Sequence, residues 1–155
     1  MALRTPELQV VGLDADPVTL ELAQKKLSPF GNRVTLQQGF AQQLPFKGDS
    51  FEIVVSSLFF HHLTTEQKSE ALIEIFRVLK PGGRLHIADW GKPSSFFQRV
   101  LFFIVQLLDG FDTTQDSVEN TLPILIENSG FSHIENTCYF PTSLGTIRLF
   151  QAAKP

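Results

Sequence analysis

Apolar and polar positions along this chain follow two periods, one typical of strands and the other typical of helices. Short apolar runs that end at a polar residue or a glycine predict buried strands, whereas apolar residues spaced by three and four predict amphipathic helices. The predicted strands are 9–14, 33–38, 51–57, 84–89, about 132–140 and about 145–152. The predicted helices are 17–27, 65–79, about 94–110 and about 120–129. This alternation predicts an α/β fold with a mostly parallel sheet and an antiparallel C-terminal hairpin.

Residues with special backbone preferences mark the ends of these helices. Asp16, directly before a proline, is typical of an N-cap. Thr64 and Gln67 have the spacing of a capping box. Because 80–83 (Lys-Pro-Gly-Gly) cannot continue a helix, this segment predicts a sharp turn into the fourth strand. Gly130 predicts the end of the last helix.

The composition is that of one globular domain over residues 1–155, with 43% hydrophobic and 19% charged residues. A net charge of −3 without a basic stripe argues against a nucleic-acid partner. The most apolar stretch, 96–108, would form a helix of about 20 Å, which is shorter than a bilayer core of about 30 Å, so no membrane span is predicted. Cys138 is the single cysteine. This excludes a disulfide framework and a multi-cysteine metal site, and we predict a cytoplasmic protein without a metal ion.

Residues that follow the predicted strands are the candidates for ligand binding, because ligands of parallel sheets bind beyond the carboxyl ends of the strands. These residues are Asp14, 39–41, 57–62 and Asp89 onward. The carboxylate of Asp14 can accept hydrogen bonds from the two hydroxyls of a ribose. The alternative is that Asp14 only caps the next helix, although Asp16 is better placed for that role.

The loops after the second and third strands carry further candidates. Backbone groups of 39–41 can bind an adenine edge, the small Ala41 lets the base approach, and Phe40 offers a ring face for stacking. The alternative is a plain turn with Phe40 in the core. Ser57 ends the third strand, and His61, ahead of a second histidine, is the candidate general base. Adjacent histidines at a loop–helix junction are also typical of packing or capping groups, so the catalytic residues stay unassigned.

Three segments resemble motifs of class I S-adenosylmethionine-dependent methyltransferases. The first, 10–17 (VVGLDADP), is similar to the acidic motif of the family's second strand. The second, 44–52 (LPFKGDSFE), is similar to the LPF…D-x-SFD segment before its fourth strand. The third, 79–85 (LKPGGRL), is similar to its LKPGG-x-L turn. Order and spacing match over about residues 8–153, and the likeness is greatest to the branch that includes quinone-biosynthesis methyltransferases.

The resemblance implies a Rossmann-like methyltransferase fold and an enzyme that transfers a methyl group from S-adenosylmethionine to a small, apolar or aromatic acceptor. The cofactor-binding residues that it implies are Asp14, Ala15, Phe40, Ala41 and Ser57. Asp14 would bind the ribose hydroxyls, and Ser57 would lie near the methionine end. Two residues depart from the family pattern: Phe40 stands where many relatives have Asp beside adenine, and Glu52 replaces the usual Asp before the fourth strand.

A further departure concerns the glycine-rich motif of the family. This Gly-x-Gly loop lies about 20 residues before the acidic residue, and counting back from Asp14 places it before Met1. We therefore expect an N-terminally truncated domain that lacks the first strand and helix. In the family that strand lies at the centre of the sheet, between the strands that correspond to 9–14 and 51–57. These two strands would therefore pair directly with each other, or a partner chain would fill the gap. A homo-oligomer is one form of such a partner.

The alternative function is a non-catalytic methyltransferase-like subunit or an inactive truncated fragment. The departure at the glycine-rich motif favours this alternative, whereas the presence of Asp14 and Ser57 argues against it. A nicotinamide-binding protein is disfavoured, because the LKPGG turn and the terminal hairpin fit methyltransferases better.

Overall fold

A computed structural model describes residues 8–91, 121–142 and 146–155. The fold divides into two compact units, Met1–Pro45 and Phe46–Pro155. That residues 1–155 form one domain stays a prediction. The predicted helix at about 94–110 lies outside the described residues.

The first unit is a parallel strand pair with a helix in the connection. Its elements are β1 (Val10–Asp14), α1 (Pro17–Leu27), a 3-10 segment (Ser28–Arg33) and β2 (Val34–Gln38). The two strands pair in parallel with Asp14 opposite Gln38, so both end at the same edge. These bounds confirm the predicted strands and helix to within one residue.

Asp16 begins α1 with the N-cap geometry that the sequence predicts. Its carboxylate accepts the backbone N–H of Val18 at 2.9 Å and the hydroxyl of Thr19 at 3.0 Å, and Pro17 follows as the first helical residue. The hydrogen bond from Val18, followed by that from Thr19, lowers the pKa of the Asp16 carboxyl below its ordinary value. A negative charge at this position also interacts favourably with the helix dipole, so the first turn of α1 is stabilised.

The second unit is a four-stranded mixed sheet whose connections contain helices. Its elements are β3 (Phe51–Ser57), a 3-10 turn (Phe60–His62), α2 (Thr65–Val78), β4 (Leu79–Gly91), α3 (Leu122–Asn128), β5 (Ser132–Pro141) and β6 (Thr146–Ala153). The strands lie in the order β3-β4-β6-β5. β3 and β4 pair in parallel, and β6 runs antiparallel to both of its neighbours. These pairings confirm the predicted C-terminal hairpin.

The capping box at the start of α2 is present as the sequence predicts. Thr64 Oγ1 accepts the backbone N–H of Gln67 at 3.3 Å, and the Gln67 side chain accepts the backbone N–H of Thr64 at 3.0 Å. The helix ends at Val78, because Leu79 already pairs with Phe51 in the sheet. Leu79, the last residue of the predicted helix, is therefore a strand residue.

β4 begins at Leu79 rather than at the predicted Arg84. The segment Lys80–Gly83 bulges out of the pairing with β3, with Gly82 at a φ of 75°. Gly82 donates its N–H to the carbonyl of Lys154 at 2.9 Å, and the N–H of Lys154 donates to the carbonyl of Gly83 at 2.9 Å. The predicted sharp turn is thus a bulge that pairs with the C-terminal residues.

Buried apolar side chains of the second unit come from α2, α3, β4 and β6. Among them are Leu72, Ile75, Leu85, Ile87, Ile126 and Phe150, each at most 5% exposed. Phe76 is half-buried and packs edge-on against Phe131, with ring centroids 5.1 Å apart. On β3, Ile53 and Val55 are 52% and 70% exposed. The sequence predicts a buried strand, but one face of β3 is exposed.

Within their own units, β1 pairs with β2 and β3 pairs with β4. The alternatives for strands 9–14 and 51–57 stay predictions. None of the helices within the described ranges is long and apolar enough to cross a membrane.

Candidate functional site

In the first unit, the carboxyl ends of β1 and β2 bring four of the predicted site residues together. Gly39, which follows β2, donates its N–H to the carbonyl of Asp14 at 3.1 Å. The side-chain amide of Gln38 donates to the carbonyl of Ala15 at 3.1 Å. The end of β1 is therefore bonded to the loop that carries Phe40 and Ala41, as expected for parallel strands that end at one edge.

The carboxylate of Asp14 has one oxygen engaged in the loop. Its Oδ1 accepts the backbone N–H of Asp16 at 2.9 Å, which fixes the direction of the side chain. Within the described ranges, no hydrogen bond reaches its Oδ2. Because Asp16 caps α1, the alternative that Asp14 is the helix cap is wrong. The half-buried carboxylate keeps one oxygen available to a ligand.

Phe40 lies in a turn with its ring directed to the surface. The N–H of Gln43 donates to the carbonyl of Phe40 at 3.1 Å and closes this turn. The side chain of Phe40 is 66% exposed, whereas Ala41 is half-buried. The alternative that places Phe40 in the core is therefore wrong, and its ring face can stack on a planar group.

In the second unit, β3 ends beside Ala88 of β4, which continues to Gly91. Ser57 is opposite Ala88, and the N–H of Leu58 continues the ladder to the carbonyl of Ala88 at 2.8 Å. Leu58 has a φ of 50°, a left-handed conformation that costs a residue with a Cβ atom about 1–2 kcal/mol. Ser57 is exposed, and its hydroxyl forms no hydrogen bond with the residues that the structure describes.

Asp89, near the end of β4, holds the loop that follows. Its Oδ2 accepts the backbone N–H groups of Phe59 at 3.0 Å and Phe60 at 2.6 Å. Its Oδ1 accepts the N–H of Trp90 and bonds to Nδ1 of His61, each at 2.7 Å. Asp89 is 1% exposed and His61 is 5% exposed. The carboxylate therefore joins the 3-10 turn to β4 from within the core.

The two adjacent histidines differ in their surroundings. His61 is buried against Asp89, whereas His62 is exposed and its ring lies 3.9 Å from that of His61. The sequence predicts that Asp89 and His61 both lie near this edge, but it does not predict that they bond to each other. The available signal was a carboxylate at the end of one predicted strand and a histidine shortly after its neighbour.

By sequence, the chain matches known methyltransferases. Residues 1–87 match the family described as a methyltransferase domain. An uncharacterized methyltransferase of Synechocystis sp. is 31% identical over 139 residues, which cover 90% of this chain and 64% of that protein. A demethylmenaquinone methyltransferase of Lactiplantibacillus plantarum is 40% identical over 87 residues, which cover 55% of this chain and 36% of that protein. The chain thus spans less than two thirds of the length of these relatives.

The same likeness holds for the fold. A solved structure of a methyltransferase from Methanosarcina mazei, described as S-adenosylmethionine-dependent, superposes with a TM-score of 0.72 at 20% identity. The superposition covers 94% of this chain and 82% of that one. This confirms the Rossmann-like methyltransferase fold. Because more than half of the chain matches the family, the chain belongs to the class I S-adenosylmethionine-dependent methyltransferases.

Proposed function

We propose that this chain binds S-adenosylmethionine and serves the transfer of its methyl group to a small, apolar or aromatic acceptor. One observation carries the proposal: Asp14 ends β1 with an oxygen that accepts no hydrogen bond from the described residues. The loop bonded to this end of the strand presents the exposed ring of Phe40. The carboxylate oxygen can accept a hydrogen bond from a ribose hydroxyl, and the exposed aromatic ring can stack on a planar base.

Four residues of the first unit would hold the adenosine part of the cofactor. The Asp14 carboxylate accepts hydrogen bonds from the ribose hydroxyls, and such bonds to a charged group are the stronger kind. The Phe40 ring stacks against adenine, and Ala15 and Ala41 leave room for it. In the second unit, the exposed Ser57 hydroxyl is the group we assign to the methionine part.

The contribution of these residues to the reaction is binding and orientation. When bound, S-adenosylmethionine supplies a methyl group on a positively charged sulfur, which is an electrophile. Holding an acceptor in line with that methyl group makes the reaction effectively unimolecular, and this can supply about 7–11 kcal/mol of the barrier reduction. A general base is needed only where the acceptor loses a proton.

For the acceptor, we propose a quinone in its reduced form. The L. plantarum relative is named for demethylmenaquinone, which supports this class. Reduction makes a quinone ring electron-rich, and an electron-rich carbon reacts with a methyl electrophile. The same class satisfies the expectation of an apolar or aromatic acceptor.

Binding of S-adenosylhomocysteine, the demethylated form of the cofactor, tests the assignment of Asp14. In isothermal titration, Asp14→Ala should weaken the affinity by about 10- to 150-fold, which corresponds to about 1.5–3 kcal/mol for hydrogen bonds to a charged group. The matched control is Asp16→Ala. It should remove the helix cap and lower the thermal stability while leaving the affinity unchanged.

Two outcomes would contradict the proposal. Unchanged affinity of a folded Asp14→Ala variant would restrict Asp14 to its bond with Asp16. If the unaltered chain neither binds S-adenosylhomocysteine nor methylates reduced demethylmenaquinone, the proposed function is wrong and one of the two inactive alternatives applies.

A further inference from the structure

The binding residues proposed above leave the buried pair of His61 and Asp89 without a function. We propose that Nε2 of His61 is the general base that removes a proton from the acceptor, and that Asp89 is the positioning residue that orients the ring. This inference rests on the proposed function, because it assigns the proton acceptor for the same reaction. It stands on the hydrogen bonds that converge on Asp89.

Three backbone N–H groups donate hydrogen bonds to the carboxylate of Asp89. Backbone N–H groups of Phe59, Phe60 and Trp90 occupy its two oxygens together with Nδ1 of His61. An ionised carboxylate can only accept, so the hydrogen of the imidazole must lie on Nδ1. The neutral ring then carries its lone pair on Nε2.

Nε2 of His61 is the nitrogen available for chemistry. Within the described part of the chain, Nδ1 has a hydrogen bond and Nε2 has none. A histidine that acts as a general base needs a lone pair on the nitrogen that faces the substrate and a group that orients the ring. Asp89 is the group that orients the ring of His61. His62 is exposed and has no carboxylate partner within the described residues, so no such group orients its ring.

The backbone around the pair restricts the position of the ring. Leu58 takes a left-handed turn directly after β3, and Asp89 then binds the next two N–H groups. Phe60, 1% exposed, anchors the same turn in the core, and α2 begins shortly after it at Thr65. His61 is therefore carried on a short segment that is fixed at both ends.

The proton transfer balances as follows for a reduced quinone. The hydroxyl of the acceptor gives its proton to Nε2, and the electron pair of that bond moves into the ring. A ring carbon forms the new bond to the methyl carbon as the carbon–sulfur bond breaks, and that electron pair stays on sulfur. The methylated carbon then loses its hydrogen to water, and His61 returns its proton to the oxygen. The net products are the methylated acceptor, the neutral sulfide and one proton.

The first test measures the tautomer of His61 without any reaction. In the ¹⁵N-labelled full chain, long-range proton–nitrogen NMR spectra distinguish the two ring nitrogens of each of the four histidines. His61→Gln assigns the His61 signals by their loss. We expect Nδ1 to carry the hydrogen, and the Asp89→Asn variant to change that pattern. A wild-type His61 with its hydrogen on Nε2 overturns the proposal.

The second test separates catalysis from binding. With a short-chain demethylmenaquinone reduced by dithionite as acceptor, His61→Gln should lower kcat by about 10²- to 10⁴-fold, the usual contribution of a general base. Its affinity for S-adenosylhomocysteine should be unchanged. The matched control is His62→Gln, which should keep kcat within about threefold.

Each remaining outcome is decisive. Unchanged kcat with reduced thermal stability in His61→Gln would limit the pair to a structural role and overturn the assignment of a base. If the wild-type chain binds S-adenosylhomocysteine but methylates no reduced quinone, the base assignment fails while the cofactor site stands. Should Asp89→Asn fail to fold, the wild-type tautomer and His61→Gln still decide.

Discussion

Two glycines of the second unit adopt positive φ in different surroundings. Gly82, in the bulge of β4, has a φ of 75° and open space where a Cβ atom would lie. Gly130, directly after α3, has a φ of 97°, and a Cβ atom there would lie 3.2 Å from the ring of Phe76. Gly82 therefore isolates the backbone cost, and Gly130 adds a packing cost to it.

Replacing these glycines with alanine should destabilise the protein to different degrees. Gly82→Ala should lower the free energy of unfolding by about 1–2 kcal/mol through backbone strain alone. Gly130→Ala should lower it by about 2–4 kcal/mol, because the Phe76 ring must also move. Urea denaturation of both variants measures the difference. Equal losses would show that Phe76 yields without cost.

Single residues of the candidate site differ in how far the sequence predicts them. The roles of Asp14 and Asp16 could be separated from sequence, because capping depends on neighbours two and three residues away. The bond between His61 and Asp89 could not, because it joins residues 28 positions apart. The register of the strands and the direction of the side chains decide which side chains meet across parallel strands. The local sequence pattern predicts neither of them.

At the scale of elements, the capping box of α2 provides a test of a local signal. Thr64→Ala removes the acceptor for the Gln67 N–H and should lower the free energy of unfolding by about 1 kcal/mol. Thr64→Ser keeps a hydroxyl at the same position and should retain most of the stability. Thermal unfolding monitored by circular dichroism compares the two. A Ser variant as unstable as the Ala variant would mean that the methyl group of Thr64, rather than its hydroxyl, matters.

Element bounds were predictable where local chemistry decides them and not where tertiary pairing does. α1 and β3 begin and end where proline, the N-cap and the apolar runs indicate. β4 does not, because two glycines and a proline normally end regular structure. In this fold the segment Lys80–Gly83 pairs with Lys154, so its hydrogen bonds come from the far end of the chain. A local pattern carries no information about that partner.

Within the second unit, the C-terminal residues are fastened by Lys154. Its Nζ donates to the carbonyl of Leu79 at 2.7 Å and to Asp49 at 2.8 Å, and it lies 4.9 Å from the centre of the Phe76 ring. The Lys154 side chain is 13% exposed, and Leu79 is fully buried. One ammonium group thus links the end of the chain to the start of β4 and to the loop before β3.

At the scale of the whole molecule, the sequence predicts the fold class but not which strands pair with each other. Alternating strands and helices indicated the α/β class, and the terminal hairpin followed from a short connection. The strand order β3-β4-β6-β5 of the second unit did not follow, because pairing depends on edges that are distant in sequence. The exposed residues Ile53 and Val55 show the same limit, since an apolar run does not reveal which of its faces is covered.

Removing the ammonium group of Lys154 tests whether this contact stabilises the second unit as a whole. Lys154→Met keeps an unbranched apolar side chain but leaves the buried carbonyl of Leu79 without its donor, which should cost about 1.5–3 kcal/mol. Asp49 contributes less, because it is 59% exposed and its charge is screened by water. The matched control is Lys80→Met, since Lys80 pairs with Glu52 and both side chains are exposed, at 44% and 75%. In urea denaturation this control should lose clearly less stability than Lys154→Met. Its loss should also vary more with salt concentration, because salt screens exposed ion pairs. Equal losses in the two variants would place Lys154 among ordinary surface charges, whereas the expected difference would show that the buried hydrogen bond from Lys154 to Leu79 stabilises the second unit.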